Sequence, residues 1–307
     1  MSGFETSATS FSPEADDAQR QNDGHNQFFV KFWGVRGSIP TPGINTVRYG
    51  GNTACVEVIA GSKRLIFDGG TGLCTLGKSL LRELPVEAHL FFTHTHWDRI
   101  QGFPFFVTAF IEGNCFHIYG GTGINGASIK QRLTDQMLRP NFPVPLQKMK
   151  SQLHFHNIDP GAVIQINDDD VDDVVVETVA LSRSTGALGY RVSYGGRSVV
   201  YATDTEHQPT ALNEGLLYLA HQADLLILDT VYADHIYYDP SATELTRSPQ
   251  TWKASLNSAL STAAKRIIMF RHAPSHEDDF LAAMEIELQS IYPHVQMARE
   301  GMVVSLS

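Results

Sequence analysis

The stretch Thr93-His94-Thr95-His96-Trp97-Asp98-Arg99-Ile100-Gln101-Gly102 decides how this chain is read. It follows His89-Leu90-Phe91-Phe92, an apolar run with the composition of a buried strand. Two histidines at i and i+2, with an aspartate two further on, then fall on one strand-to-helix turn. Imidazole nitrogens and a carboxylate are the donors that a borderline-soft divalent ion such as zinc prefers. The next residue, Arg99, cannot ligate a cation. Its guanidinium has no acceptor lone pair and stays protonated, with a pKa above about 12.

Outward from this turn, short β-rich runs alternate with helical patterns. Strands are predicted over 28–33, 54–60, 63–68, 87–92, 115–119, 152–157, 173–180, 187–194, 197–202, 224–229, 266–271 and 302–306. Helices are predicted over 71–83, 126–138, 209–222, 249–264 and 277–291. Tyr194-Gly195-Gly196-Arg197 supplies hairpin-turn chemistry between two β-rich runs. Strands interleaved with helices in this way suit two mixed sheets packed face to face with helices outside. Residues 1–27 are rich in Ser, Asp, Glu, Gln and Asn and are read as a disordered tail, with one domain spanning 28–307.

The composition narrows the class. At 307 residues and 42% hydrophobic content the chain can bury a large core. A formal net charge of −10 argues against non-specific binding to nucleic acid or an anionic membrane. The 3 cysteines, Cys55, Cys74 and Cys115, have no CxxC spacing, so a disulfide framework is not expected and a reducing cytoplasm is. No apolar segment is long enough for a membrane span.

Loops at predicted strand ends carry the other candidates. Gly34-Val35-Arg36-Gly37-Ser38-Ile39-Pro40 and Tyr49-Gly50-Gly51-Asn52-Thr53 are glycine-rich, read as plain turns or as backbone able to approach an anion. Asp68 opens Asp68-Gly69-Gly70-Thr71-Gly72 and is read as structural, a carboxylate that orients neighbouring loops or caps a helix. Asp204 and Asp229 each close a buried run. With the His94 cluster, they suggest a site assembled along one sheet edge.

In order, the elements around Gly34–Pro40, Arg48–Thr53, Phe67–Gly72, Thr93–Asp98, Gly186–Arg191, Tyr201–Glu206 and Pro274–Asp279 resemble a bacterial branch of metallo-β-lactamase-fold hydrolases. That branch is related to ribonuclease Z and phosphoribosyl cyclic phosphodiesterase, and the resemblance runs from about residue 30 to about residue 290. It implies an α/β, four-layer αβ/βα sandwich with two zinc ions between the sheets. In that frame His94 and His96 sit on the first metal and Asp98 on the second, and Asp204 bridges them. If the chain is active, Asp98 and Asp204 are its catalytic carboxylates.

The departures from the family pattern fall at ligands. Arg99 stands where the HxHxDH signature has a second-metal histidine. Arg183 takes the slot of a first-metal histidine, and Arg271 that of a ligand before His272. Arg247 matches, more loosely, a segment bearing a proton donor. Three guanidiniums with Asp98 and Asp204 carry a net +1, as do two zinc ions with two such carboxylates and a hydroxide. Arginine can therefore replace the charge of the metals but not their Lewis acidity.

The expectation is zinc absent or limited to one ion. The arginines at 99, 183, 271 and 247 become anion-binding candidates for a phosphate-containing small molecule. A protein partner or a homodimer also stays open. Three readings follow: a non-catalytic binding or regulatory protein, a hydrolase with one metal on His94, His96, Asp98 and Asp204 that recruits His272 or His276, or a scaffold with neither ligand nor metal.

Overall fold

The computed structural model describes residues 27–123, 125–167, 173–205, 213–229 and 256–306. The strands are β1 (Phe28–Gly34), β2 (Cys55–Ala60), β3 (Lys63–Phe67), β4 (Glu87–Phe92), β5 (Cys115–Gly120), β6 (Gln152–Asn157), β7 (Val163–Ile166), β8 (Val174–Ala180), β9 (Leu188–Tyr194), β10 (Arg197–Ala202), β11 (Leu225–Asp229), β12 (Ile267–Phe270), β13 (Val295–Met297) and β14 (Val303–Ser305). The helices are α1 (Gly72–Leu80), α2 (Trp97–Ile100), α3 (Ile129–Asp135), α4 (Glu214–Ala220) and α5 (Asp278–Ile291). The predicted tail, apart from Gln27, and the N-terminal part of the predicted 249–264 helix lie outside the described residues; 256–260 is helical.

The strands form two 7-stranded sheets, ordered β14-β1-β2-β3-β4-β5-β6 and β13-β12-β11-β10-β9-β8-β7. Within the first, β3 to β6 run parallel; within the second, β10 to β13 do. The predicted hairpin is β9–β10, with Tyr194 opposite Arg197. Alternation sets the layers. Phe32, Phe67, Phe91, Tyr190, Tyr201 and Phe270 point inward and fill the space between the sheets. The opposite faces bury Ile66 and Leu90 under α1, and Val200 and Leu226 under α4 and α5. This is the four-layer sandwich expected from the sequence. β11, buried at every position, reads as an unbroken apolar run because both of its faces are covered.

β3, β4, β10, β11 and β12 all end at the same rim, so the loops that follow them converge. Ligand sites of parallel α/β sheets gather at such carboxyl ends. No helix among the described residues is long and apolar enough to cross a membrane.

Candidate functional site

Backbone conformation fixes the rim first. Asp68, Asp204 and Arg271 follow β3, β10 and β12 with φ of 57°, 63° and 55°. Left-handed backbone is uncommon for residues other than glycine, and it turns each side chain sharply into the cleft. The loop after β4 is held against the loop after β3 by paired backbone bonds. Gly69 N–H donates to Arg99 O (2.6 Å), and Gly102 N–H donates to Gly69 O (2.9 Å). A Cβ on Gly102 would lie 1.9 Å from Gly70 O, so this approach requires glycine.

Asp68 organises the first sheet's side of the site. Its Oδ1 accepts from the backbone N–H and the hydroxyl of Thr93, both at 2.9 Å, and its Oδ2 accepts from the Tyr201 hydroxyl at 2.9 Å. Arg99 Nη1 donates to the same Oδ2, to Tyr201 OH at 3.1 Å and to Thr203 Oγ1 at 3.0 Å. Arg99 Nε lies 3.5 Å from Asp98 Oδ2. Arg271 answers from the second sheet. Its Nη1 donates to Asp229 Oδ2 at 2.7 Å and to Asp204 Oδ1 at 3.4 Å, and its Nη2 donates to Asp98 Oδ2 at 3.1 Å. Arg99 and Arg271 are almost wholly buried.

The charge balance differs from the sequence expectation. Two guanidiniums face four carboxylates, Asp68, Asp98, Asp204 and Asp229, a formal −2 if all ionise. Burial pushes Asp68 and Asp229 upward, partly offset by Arg99 and Arg271 respectively. Burial would also raise Asp204, but His94, Arg271, Arg99 and the Thr185 hydroxyl outweigh it and bring it down to about 2. For Arg99, burial and Arg271 favour the neutral form. Asp68, Tyr201 and Asp98 outweigh them and hold it above the ordinary arginine value.

Beside this network lies a donor set of another kind. His94, His96 and Asp204 offer ligand atoms that all lie within 4.8 Å of one another. His94 Nδ1 is 3.0 Å from Thr93 Oγ1, which fixes the ring, while its buried Nε2 has no hydrogen-bond partner among the described residues and lies 3.8 Å from Asp204 Oδ2. Burial above all, with Arg99 and His96, pushes His94 down to about 3 against Asp204 and Asp98, so its ring is neutral at pH 7. A neutral imidazole oriented through its other nitrogen is the form that ligates a metal. These three donors fit one zinc ion. Between Asp98, Asp204 and Asp229 stands the Arg271 guanidinium, which takes one oxygen of each.

Two expected residues stand elsewhere. Arg183 is exposed, with no ion pair to these carboxylates among the described residues. Its loop closes on Ser182 and Thr185: Thr185 N–H donates to Ser182 Oγ at 3.1 Å, and the Thr185 hydroxyl donates to Asp204 Oδ2 at 2.8 Å. Thr185, rather than Arg183, meets the site. His272 is also not in position for recruitment. Its ring is buried edge-on against Tyr49, with Nε2 2.7 Å from Ala298 O. Its backbone N–H donates to Val35 O and its carbonyl accepts from Gly37 N–H, which directs the ring away from the rim. Arg247 lies outside the described residues.

The glycine-rich loops are tied into the fold, and Ser38 N–H of the first donates to Asp98 Oδ2 at 3.3 Å. Buried Arg36 donates from Nε to Gly50 O (2.6 Å) and from Nη1 to His276 O (2.6 Å), tying both loops to the segment after β12. Sequence reasoning also missed Arg132 on α3. It lines a cavity of about 350 Å³ with His94, His96, Thr95, Gly121, Thr122 and Thr185, among others. On a helix that also carries Lys130, it gives no local signal of a site.

The fold and site together define a class. The family described as Beta-lactamase superfamily domain matches residues 56–271, and the chain belongs to that superfamily. No curated protein matches the sequence. Among solved structures, the chain is similar to the metallo-beta-lactamase fold protein YhfI from Bacillus subtilis, with 18% identity over 91% of this chain and 99% of that one and a TM-score of 0.61. It is similar to the short form of human tRNase Z, ELAC1, at 18% identity over 91% and 99%, with a TM-score of 0.58. A diphosphatase from the PhnP family follows at 16% identity over 92% and 98%, with a TM-score of 0.60. At such identities these likenesses are of fold.

Proposed function

We propose that this β-lactamase-superfamily protein has exchanged the second metal of a dizinc centre for arginine and serves as a binding or regulatory protein for an anionic ligand. The observation that carries this reading is Arg271. One guanidinium contacts Asp98, Asp204 and Asp229, and Asp98 and Asp204 are the carboxylates that the family resemblance assigns to metal. Guanidinium groups match carboxylates in charge and fork geometry. They do not activate water, so the two-metal route to phosphodiester hydrolysis lacks its nucleophile.

A second reading is favoured by the unpartnered His94 Nε2 facing Asp204: a hydrolase with a single metal on His94, His96 and Asp204. Zinc held there would supply Lewis acidity. Asp204, held ionised by its cationic neighbours, and Thr93, which fixes the His94 ring, would keep the donors in place.

Elemental analysis of the purified full-length protein, alongside a chromogenic phosphodiester assay, tests both. The binding reading expects no turnover and at most one zinc per chain. Two zinc ions per chain would overturn it. One ion together with turnover that disappears in Asp204→Asn would establish the second reading instead.

A further inference from the structure

Among the described residues, Arg132 is the one arginine or lysine that lines the cavity beside His94 and His96. The hydroxyls of Thr93, Thr95, Thr122 and Thr185 and glycine backbone make up much of the rest, with no carboxylate among the described lining residues. Arg132 supplies the permanent cation of this lining, and burial lowers its pKa without bringing an arginine near neutrality.

The guanidinium is also fixed in place. Nη1 donates to Thr95 Oγ1 at 2.8 Å and Nη2 donates to Gly121 O, so the head group spans the loop after β4 and the end of β5. Both partners are uncharged, and Arg132 has no ion pair among the described residues. The other buried arginines of the rim differ, since carboxylates occupy Arg99 and Arg271. A half-buried arginine whose fork is held but not neutralised, facing a cavity lined by hydroxyls and glycine backbone, is built for an oxyanion.

We infer that Arg132 is the anion-recognition residue of this cavity, and that the ligand presents a phosphate or carboxylate group to it with the remainder extending past His96 to solvent. This rests on the binding reading above and assigns the ligand class that reading leaves open. It also places the anion site on α3, apart from the sequence candidates Arg99, Arg183 and Arg271 and from Arg247, which lies outside the described residues.

Titration of the full-length protein with inorganic phosphate, and separately with acetate, followed by calorimetry and thermal shift, tests it. Phosphate or acetate should bind the wild type. Arg132→Gln should weaken binding about tenfold, the worth of a charge-assisted hydrogen bond, while its unliganded melting temperature stays close to wild type. Tighter phosphate than acetate identifies a phosphorylated ligand, and the reverse a carboxylate. Arg132→Lys keeps the charge and loses the fork; it should weaken binding severalfold and serves as readout if the glutamine variant does not fold. Unchanged affinity in a folded variant, or no binding of either anion by the wild type, overturns the assignment. Zinc content is measured independently, so failure here is distinguishable from failure of the metal-replacement reading.

Discussion

At the residue scale, the decisive side chain is Arg271. It adopts left-handed backbone and carries the only guanidinium that contacts three of the four site carboxylates among the described residues. Truncating one partner of a buried ion pair leaves the others desolvated and unpaired, a cost of about 3–5 kcal/mol. Arg271→Ala should therefore lose stability of that order, and urea unfolding checks it; a loss under about 1 kcal/mol contradicts the network. Arg99→His combined with Arg271→His should raise zinc uptake above the wild-type level, read by elemental analysis. Unchanged zinc would mean that these two slots are misassigned. Much of the site could be read in the sequence because ligand types at fixed spacing are local signals: His94, His96, Asp98 and Arg99 lie within one turn. The Arg271–Asp229 pair and Arg132 could not be read. Their partners come from other strands, and nothing in Ile129-Lys130-Gln131-Arg132 separates a pocket-facing arginine from a solvated one.

At the scale of elements, the parallel trio β4, β5 and β6 carries histidines in register. His89, His117 and His154 stand opposite one another, and Phe91, Tyr119 and His156 form the next row. The rings stack, His89 on His117 and His117 on His154, each pair at 4.9 Å between centroids. Burial first, then the neighbouring imidazoles and Lys63, pushes His89 down to about 4; burial and neighbouring imidazoles lower His117 and His156 as well. An unfolded histidine titrates near 6.5. Below that pH the unfolded chain takes up protons that these folded rings refuse, so stability is full above about 6.5 and falls as pH drops toward 4. His89 alone accounts for up to about 3 kcal/mol of this loss. Urea midpoints at pH 7.5 and 4.5 should differ accordingly, and by less in His89→Phe; equal midpoints in the wild type contradict the linkage. The twelve strands predicted from apolar or alternating runs all form. The two that were missed, β7 and β13, have 4 and 3 residues, too few for a period to emerge against their polar surroundings.

At the scale of the whole molecule, the two sheets share one interior and one rim. Phe67 packs against Phe91, Tyr190 and Tyr201, rings drawn from both sheets. Removing it should cost about 3–5 kcal/mol and lower one cooperative transition, not split it. Calorimetry of Phe67→Ala checks this, and two resolved transitions would mean that the sheets unfold separately. The layer architecture was readable in the chain because interleaved strands and helices admit few packings. The pairing across the rim was not, since it depends on where remote loops converge. That pairing has a practical corollary. Arg99 bonds Asp68 and Tyr201, and Arg271 bonds Asp98 and Asp229, so the positive groups that clasp the sheets at this end are part of the polypeptide itself. No chelator can strip them, and the clasp should hold equally well in a cell starved of trace elements.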